Sequence, residues 1–248
     1  MNLAKNLGVQ TFCFREFDVA RTAKAVKECG LTTIELCGFG VHFTFDDPAG
    51  FDTAVATFKD AGIDIVAMTA DSFADDEADE RVRFEFAARA GAKVLMIGGF
   101  DMDKIPGCFR TAEKLADEFD MVLGIHNHGG RHALGNCEML RWVFGNTSKR
   151  IGLLLDTAWA LDAHEDPVAM IREFGDRLHG IHFKDFIFDR KGDPEDVVLG
   201  TGVLDLPGVL KALDDVGFDG AAVIEYEGEA DNPTASIAKC AEAIRALV

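Results

Sequence analysis

No apolar stretch in this 248-residue sequence approaches the ~18 residues that a membrane span requires. The first residues, MNLAKNLGVQTF, lack the apolar centre of a secretory signal, so a cytoplasmic location is expected. Cysteine pairs at metal or redox spacing are also missing. The six cysteines (Cys13, Cys29, Cys37, Cys108, Cys137, Cys240) are scattered and read as reduced, mostly buried residues. Basic residues are scarce: 25 Lys and Arg stand against 43 Asp and Glu, a net charge of −18. Such a surface repels phosphate backbones and anionic bilayers, so neither nucleic acid nor membrane is an expected partner. A pocket can still be locally basic, which leaves a small phosphorylated substrate open. No Pro- or Ser-rich linker and no low-complexity segment interrupts the chain, so one domain over 1–248 is expected. The first strand is followed by CFREFD rather than a glycine fingerprint, which argues against an open dinucleotide-binding sheet. Without GxSxG and with few serines, a Ser/His/Asp triad has no support.

What is present is an alternation. Short apolar runs predict strands near 7–13, 32–37, 63–69, 93–98, 121–128, 151–156, 178–184 and 220–226. Helical patterns fall between them, near 18–29, 48–61, 77–90, 106–119, 136–145, 166–175, 206–216 and 233–247. Asp18, Asn136 and Asp205 stand where helix N-caps belong, and Pro48, Pro106, Pro167, Pro207 and Pro233 fall in first turns. Glycine follows three helices, at AGI 61–63, AGA 90–92 and VGF 216–218. The acidic run DDEADE at 75–80 reads as a solvated helix start. Eight βα units in ~250 residues predict a closed α/β (β/α)8 barrel.

Five of the apolar runs end in groups that a buried strand does not tolerate without a partner or a task. LGIHNH ends in His126 and His128, IGLLLDT in Asp156, LHGIHFKD in His182 and Lys184, AAVIEYE in Glu225 and Glu227, and TTIELCG carries Glu35. Successive strand residues alternate faces, so Leu154 and Asp156, Gly180, His182 and Lys184, and Gly124, His126 and His128 each share one. Small or apolar residues precede polar ones on that face, as expected where packed layers support chemistry at the carboxyl end of a barrel. The bland alternative is helix capping. For Asp156 and Glu225 it is set aside on distance, because the next predicted helices begin near 166 and 233.

Mixed Asp, Glu and His donors suit a divalent cation: Mn2+, Mg2+, Co2+ or Zn2+. The metal candidates are Asp156, His182, Glu225 and one or both of His126 and His128. Glu225, His126, His128, Lys184 and Glu35 are the catalytic candidates, as base, enolate-stabilising cation or orienting group. Glu35 or Glu227 is the expected partner of Lys184, and a strand-end lysine the bland partner of Glu35. Trp159, Phe12, Glu35 and Lys184 are candidates for contacting substrate. Phe14, Phe39, Phe43 and Phe45 are expected mainly to pack, and Asp185 to anchor a loop. His42, His132, His164 and His179 read as surface or loop residues.

These residues carry a resemblance. IEL at 34–36, HNHGG at 126–130, LLLDT at 153–157, HFKD at 182–185, LGTG at 199–202 and VIEYE at 223–227 resemble the xylose isomerase-like TIM barrels, the sugar phosphate isomerase/epimerase superfamily. The resemblance covers the whole chain. It implies a divalent metal held by residues ending strands five to eight, with Asp156, His182 and Glu225 as the last three ligands. One departure stands out. Isomerases and epimerases of the group generally carry a glutamate at the end of strand five, where this chain has His126-Asn127-His128. A histidine-containing fifth strand resembles inosose dehydratases and keto-sugar lyases.

The implied function is metal-assisted proton abstraction beside a carbonyl of a small polyhydroxy compound, through an enediolate. Isomerisation or epimerisation ranks first and dehydration or lysis second. A DNA-repair nuclease of the same barrel type is opposed by the −18 charge. A non-catalytic sugar-binding barrel is the remaining alternative, and a homo-oligomer is compatible with all of these readings.

Overall fold

The computed structural model describes residues 3–70, 72–129 and 132–248. Eight parallel strands close on themselves: β1 (Gly8–Gln10), β2 (Thr33–Leu36), β3 (Asp64–Ala70), β4 (Val94–Ile97), β5 (Val122–His126), β6 (Ile151–Asp156), β7 (Leu178–Phe183) and β10 (Ala221–Ile224). Each strand pairs with its sequence neighbour in the barrel, and β10 meets β1 through Gly8 opposite Val223 and Val9 opposite Ile224. The expected (β/α)8 architecture is therefore the observed one.

Helices follow the strands for the local reasons the sequence contains. Asp18 Oδ1 accepts from Arg21 N, Asn136 Oδ1 from Met139 N and Asp205 Oδ1 from Gly208 N, each satisfying an orphan donor of a first turn. Pro48, Pro106, Pro167 and Pro207 open helices where no N–H is needed. Pro233 is one place earlier than expected, at the N-cap of the last helix, Thr234–Arg245. Gly91 closes the helix Glu77–Ala90 with φ +89°, a conformation that costs a side-chain-bearing residue about 1–2 kcal/mol.

Several segments depart from the expected elements, beginning with the strand expected over 7–13, which ends at Gln10 and continues as a 3-10 helix, Thr11–Phe14. A four-residue helix, Leu3–Asn6, precedes β1. A six-residue helix, Thr157–Asp162, starts directly at the end of β6. After β7 the chain forms an antiparallel hairpin, β8 (Asp185–Phe188) with β9 (Pro194–Val197), in a stretch expected to be loop. Asp185 anchors this region as expected, accepting from the N–H groups of Gly200, Gly202 and Leu204. Of the histidines expected at the surface, His42 is buried against Thr22, while His179, in β7, is half-buried with its ring at the Lys149 carbonyl. The DDEADE run is not wholly solvated either, because Glu80 is buried and accepts from Ala74 N.

The core lies in two parts. A large cluster fills the space between strands and helices, and it includes Phe14, Phe43, Phe51 and Phe86. A small cluster of Ala67, Val94, Met96, Leu154 and Ala221 is contributed by strands around the barrel. Leu154 occupies the space left by two glycines. A Cβ on Gly124 would lie 2.8 Å from Leu154 Cβ, and one on Gly180 2.9 Å from Leu154 Cγ. Full burial of such a leucine is worth about 1.5–3 kcal/mol. One pleat further along, the same three strands carry His126, Asp156 and His182, which places polar side chains directly above this packed layer.

Candidate metal centre

Four side chains from four consecutive barrel strands converge. One donor atom from each of His126, Asp156, His182 and Glu225 lies within 4.8 Å of all the others, and all four residues are buried. Register explains the meeting: Asp156 pairs with His182 and His182 with Val223, so Glu225 follows at the next inward position. His126 Nε2 is 3.6 Å from Asp156 Oδ2 and 3.7 Å from Glu225 Oε2. His182 Nδ1 is 3.2 Å from the same Glu225 oxygen.

Asp156 divides its carboxylate between two tasks. Oδ1 caps the helix Thr157–Asp162, accepting from Ala158 N at 2.9 Å and Trp159 N at 2.8 Å. The distance argument against capping therefore fails, because a helix begins at once rather than near 166. Oδ2 remains, fully buried and without a hydrogen-bond partner, as is His126 Nε2 opposite it. The two atoms face each other at ion-pair distance without a hydrogen bond, and buried polar atoms left so cost free energy unless something binds both. Nitrogen and oxygen donors of this kind fit a divalent cation of the Mn2+, Co2+ or Zn2+ type.

Asn127, between the two histidines, faces the other way. Its Oδ1 accepts from Asp156 N at 2.8 Å and its Nδ2 donates to the Asp156 carbonyl at 3.0 Å, locking the ends of β5 and β6 together. His128 is not brought into the four-donor cluster. Its ring stacks on Trp159, with centroids 4.1 Å apart and planes at 25°. Burial pushes its imidazole down to about 4, with the neighbouring His126 adding to the effect.

Glu35 lies behind His182. Its Oε2 accepts from His182 Nε2 at 2.9 Å, and its Oε1 accepts from Thr69 Oγ1 at 2.6 Å. Its partner is thus a histidine and not the expected lysine. Burial alone would lower the His182 pKa, but the Glu35 and Glu225 carboxylates outweigh it and push it up to about 10. Burial opposes the charge of His126 too, and Asp156 and Glu225 raise it despite that. Glu225 shows the converse. Burial would raise its carboxyl, yet Lys184, His182 and His126 hold it well below the usual carboxylate range.

Lys184 is almost completely buried and surrounded by acids. Nζ is 3.4 Å from Glu225 Oε2 and 3.5 Å from Asp196 Oδ2, and it makes a very short contact with Glu227 Oε1. Burial would lower its pKa, but Glu225, Asp156, Glu227 and Asp196 raise it instead, so it stays cationic. Of its expected partners, Glu227 is one and Glu35 is not. Nζ also lies over Trp159 and Phe186, 5.7 and 5.9 Å from their ring centroids. Trp159 therefore bridges His128 and Lys184. Phe12 is half-buried under the Arg15 guanidinium, 5.0 Å from its ring centroid, and Phe39 is exposed.

Sequence reasoning missed Gln10, Thr69, Asn127 and Asp196. Gln10 and Thr69 carried the signal used elsewhere, a polar residue closing an apolar strand, in GVQ and DIVAMT. Asp196 carried none, because it belongs to the unforeseen hairpin. Burial pushes its carboxyl up to about 7 against the pull of Lys184.

A closed parallel barrel with titratable groups gathered at the carboxyl ends of its strands is the architecture of a large class of enzymes. The chain belongs to the xylose isomerase-like TIM barrel family, whose profile matches residues 23–247. It is 27% identical over 133 residues to an inosose dehydratase from Lacticaseibacillus casei, covering 46% of this chain and 44% of that one. It is 32% identical over 120 residues to a D-psicose 3-epimerase from Enterocloster bolteae, covering 47% of this chain and 37% of that one. The chain thus spans less than half the length of these curated relatives. A crystal structure of the probable 3-DHS dehydratase AsbF from Bacillus anthracis shares the fold, with a TM-score of 0.75 at 15% identity over 97% of this chain and 98% of that one. No described helix is long and apolar enough to cross a membrane.

Proposed function

We propose that this protein is a divalent-metal-dependent enzyme that removes a proton beside the carbonyl of a small polyhydroxy ketone, with β-elimination of water as the leading outcome. The observation that carries the metal is the pair of buried, unpartnered atoms Asp156 Oδ2 and His126 Nε2 within the four-donor cluster. His126, Asp156, His182 and Glu225 would hold the ion. A cation bound there would polarise a substrate carbonyl and acidify the neighbouring C–H.

The remaining groups have roles that follow from their positions. Lys184 brings a permanent positive charge within 3.4 Å of Glu225, where it can offset the negative charge of an enediolate. Trp159 and His128 offer a flat apolar and polar wall suited to a sugar ring. Glu225 Oε2 already faces His182 and Lys184, at 3.2 and 3.4 Å, which favours a binding over a basic role. His128, outside the cluster and adjacent to it, is the better placed base by position, although burial holds it to a weakly basic imidazole at about 4.

Elimination ranks ahead of isomerisation or epimerisation because strand five ends in His126. Returning a proton from a second face by paired glutamates has no second glutamate at that place. The likeness to inosose dehydratase supports the same choice. The D-psicose 3-epimerase relative supports the second reading.

The test is incubation of Mn2+-loaded protein with an inosose and with free keto-sugars in deuterated water, followed by mass spectrometry. Loss of water, with an enone absorbance, supports elimination. Deuterium in a full-mass, rearranged product supports isomerisation or epimerisation. Binding without either reaction would mark a non-catalytic barrel.

A further inference from the structure

Strands β1 to β3 contribute no donor to the four-residue cluster, yet a buried hydrogen-bonded chain runs through them to His182. It begins at the backbone. Phe12 N–H donates to Gln10 Oε1 at 2.7 Å, which fixes which end of the Gln10 amide is oxygen. The Nε2 end therefore points the other way and donates to Thr69 Oγ1 at 2.9 Å. An amide nitrogen has no lone pair to offer, so this bond has one direction. The Thr69 hydroxyl has a single hydrogen, and the remaining partner is Glu35 Oε1 at 2.6 Å. With Oε1 engaged, the second carboxylate oxygen, Oε2, is left to accept from His182 Nε2 at 2.9 Å. Gln10, Thr69, Glu35 and His182 are all 0–1% exposed, so the chain is shielded from bulk water.

The chain thus fixes one hydrogen. Glu35 holds the hydrogen on His182 Nε2, so the nitrogen left to release its hydrogen to a cation is Nδ1. That is the nitrogen facing Glu225 Oε2 and the donor cluster. We propose that Gln10 and Thr69 are positioning residues that, through Glu35, dictate which nitrogen His182 presents to a bound cation. Neither residue touches the cluster. Glu35 supplies the carboxylate behind a ligating histidine, which raises its basicity. Gln10 and Thr69 hold the Oε1 edge of this carboxylate and so aim Oε2 at His182. The proposal rests on the metal reading above.

The test compares Thr69→Val, which keeps shape and removes the hydroxyl, with Thr69→Ser, which keeps the hydroxyl. Gln10→Leu breaks the chain one step earlier and carries the test if Thr69→Val does not fold. Two quantities are measured: Zn2+ affinity by competition with a chromophoric chelator, and the 15N resonances of His182 in Zn2+-loaded protein. Thr69→Val and Gln10→Leu are expected to weaken Zn2+ binding about tenfold and to shift the Nε2–H resonance, while Thr69→Ser stays near the parent. Parent-like affinity and an unmoved Nε2–H signal in both chain-breaking variants would overturn the proposal alone. Failure of the parent protein to bind any divalent cation would overturn the metal reading and the proposal with it.

Discussion

His126 Nε2 and Asp156 Oδ2 face each other at 3.6 Å, both buried and neither with a hydrogen-bond partner. The other oxygen of Asp156 is fully used as a helix cap. The same side chain therefore holds the fold with one atom and offers the second to the centre.

Substitution separates these two tasks. Asp156→Asn retains an oxygen that can cap, so its thermal stability without metal should lie close to the parent. Asp156→Ala loses the cap as well and should cost about 1 kcal/mol more. Both should lose metal binding and turnover. Thermal melts in chelator together with metal titrations check this, and full metal affinity in Asp156→Asn would contradict the ligand assignment.

Lys184 sits among Glu225, Glu227 and Asp196, so removing its charge strands three acids. Lys184→Met should destabilise the protein by about 3–5 kcal/mol, as expected when one partner of a buried ion pair is deleted. Adding Asp196→Asn should recover part of that loss. Denaturant unfolding of the two variants measures both effects. No recovery in the double variant would show that the hairpin acid does not feel the lysine.

The sequence made the barrel legible because each strand is a short apolar run and most helices carry their own caps. It made Asp156, His182 and Glu225 legible because charged residues closing such runs have few structural uses. The helix Thr157–Asp162 was hidden because its cap is also the last residue of β6, leaving no break to see. The hairpin was hidden because β9 reads PEDV, a half-exposed pairing with little apolar pattern. The contact of Glu35 with His182 joins residues 147 apart in sequence and exists only because β10 closes on β1. Parity alone put both His126 and His128 on the inward face. What separates them is the helix after β6, which delivers Trp159 to stack on His128.

The buried histidine makes stability and metal binding depend on pH. Without metal, folding raises the His182 pKa from the ordinary 6.5 to about 10. Its stabilising contribution is complete below about pH 6.5 and is lost as pH rises toward 10. The stability gap between the parent and His182→Asn, measured in chelator, should narrow over that window. A metal must displace this proton, so affinity should rise with pH and binding should release protons, visible as a buffer-dependent heat. A gap that is constant from pH 6 to 10 would contradict the assignment.

His126 marks the departure from a glutamate at strand five, and His126→Glu reverses it. The added carboxylate should shift preference from Zn2+ toward Mn2+ and Mg2+, since oxygen donors suit harder cations. It should also lower the melting temperature in chelator, because three acids then face one another. Competition between the metals is the measurement, and an unchanged preference would exclude His126 from the donor set.

The most direct test of the account is calorimetric titration of metal-free protein with Mn2+, run in parallel on the parent and Asp156→Asn. One cation per chain is expected in the parent, with proton release, and strongly weakened binding in the variant. Absence of binding in the parent, or equal binding in both, would contradict a metal centre built from His126, Asp156, His182 and Glu225.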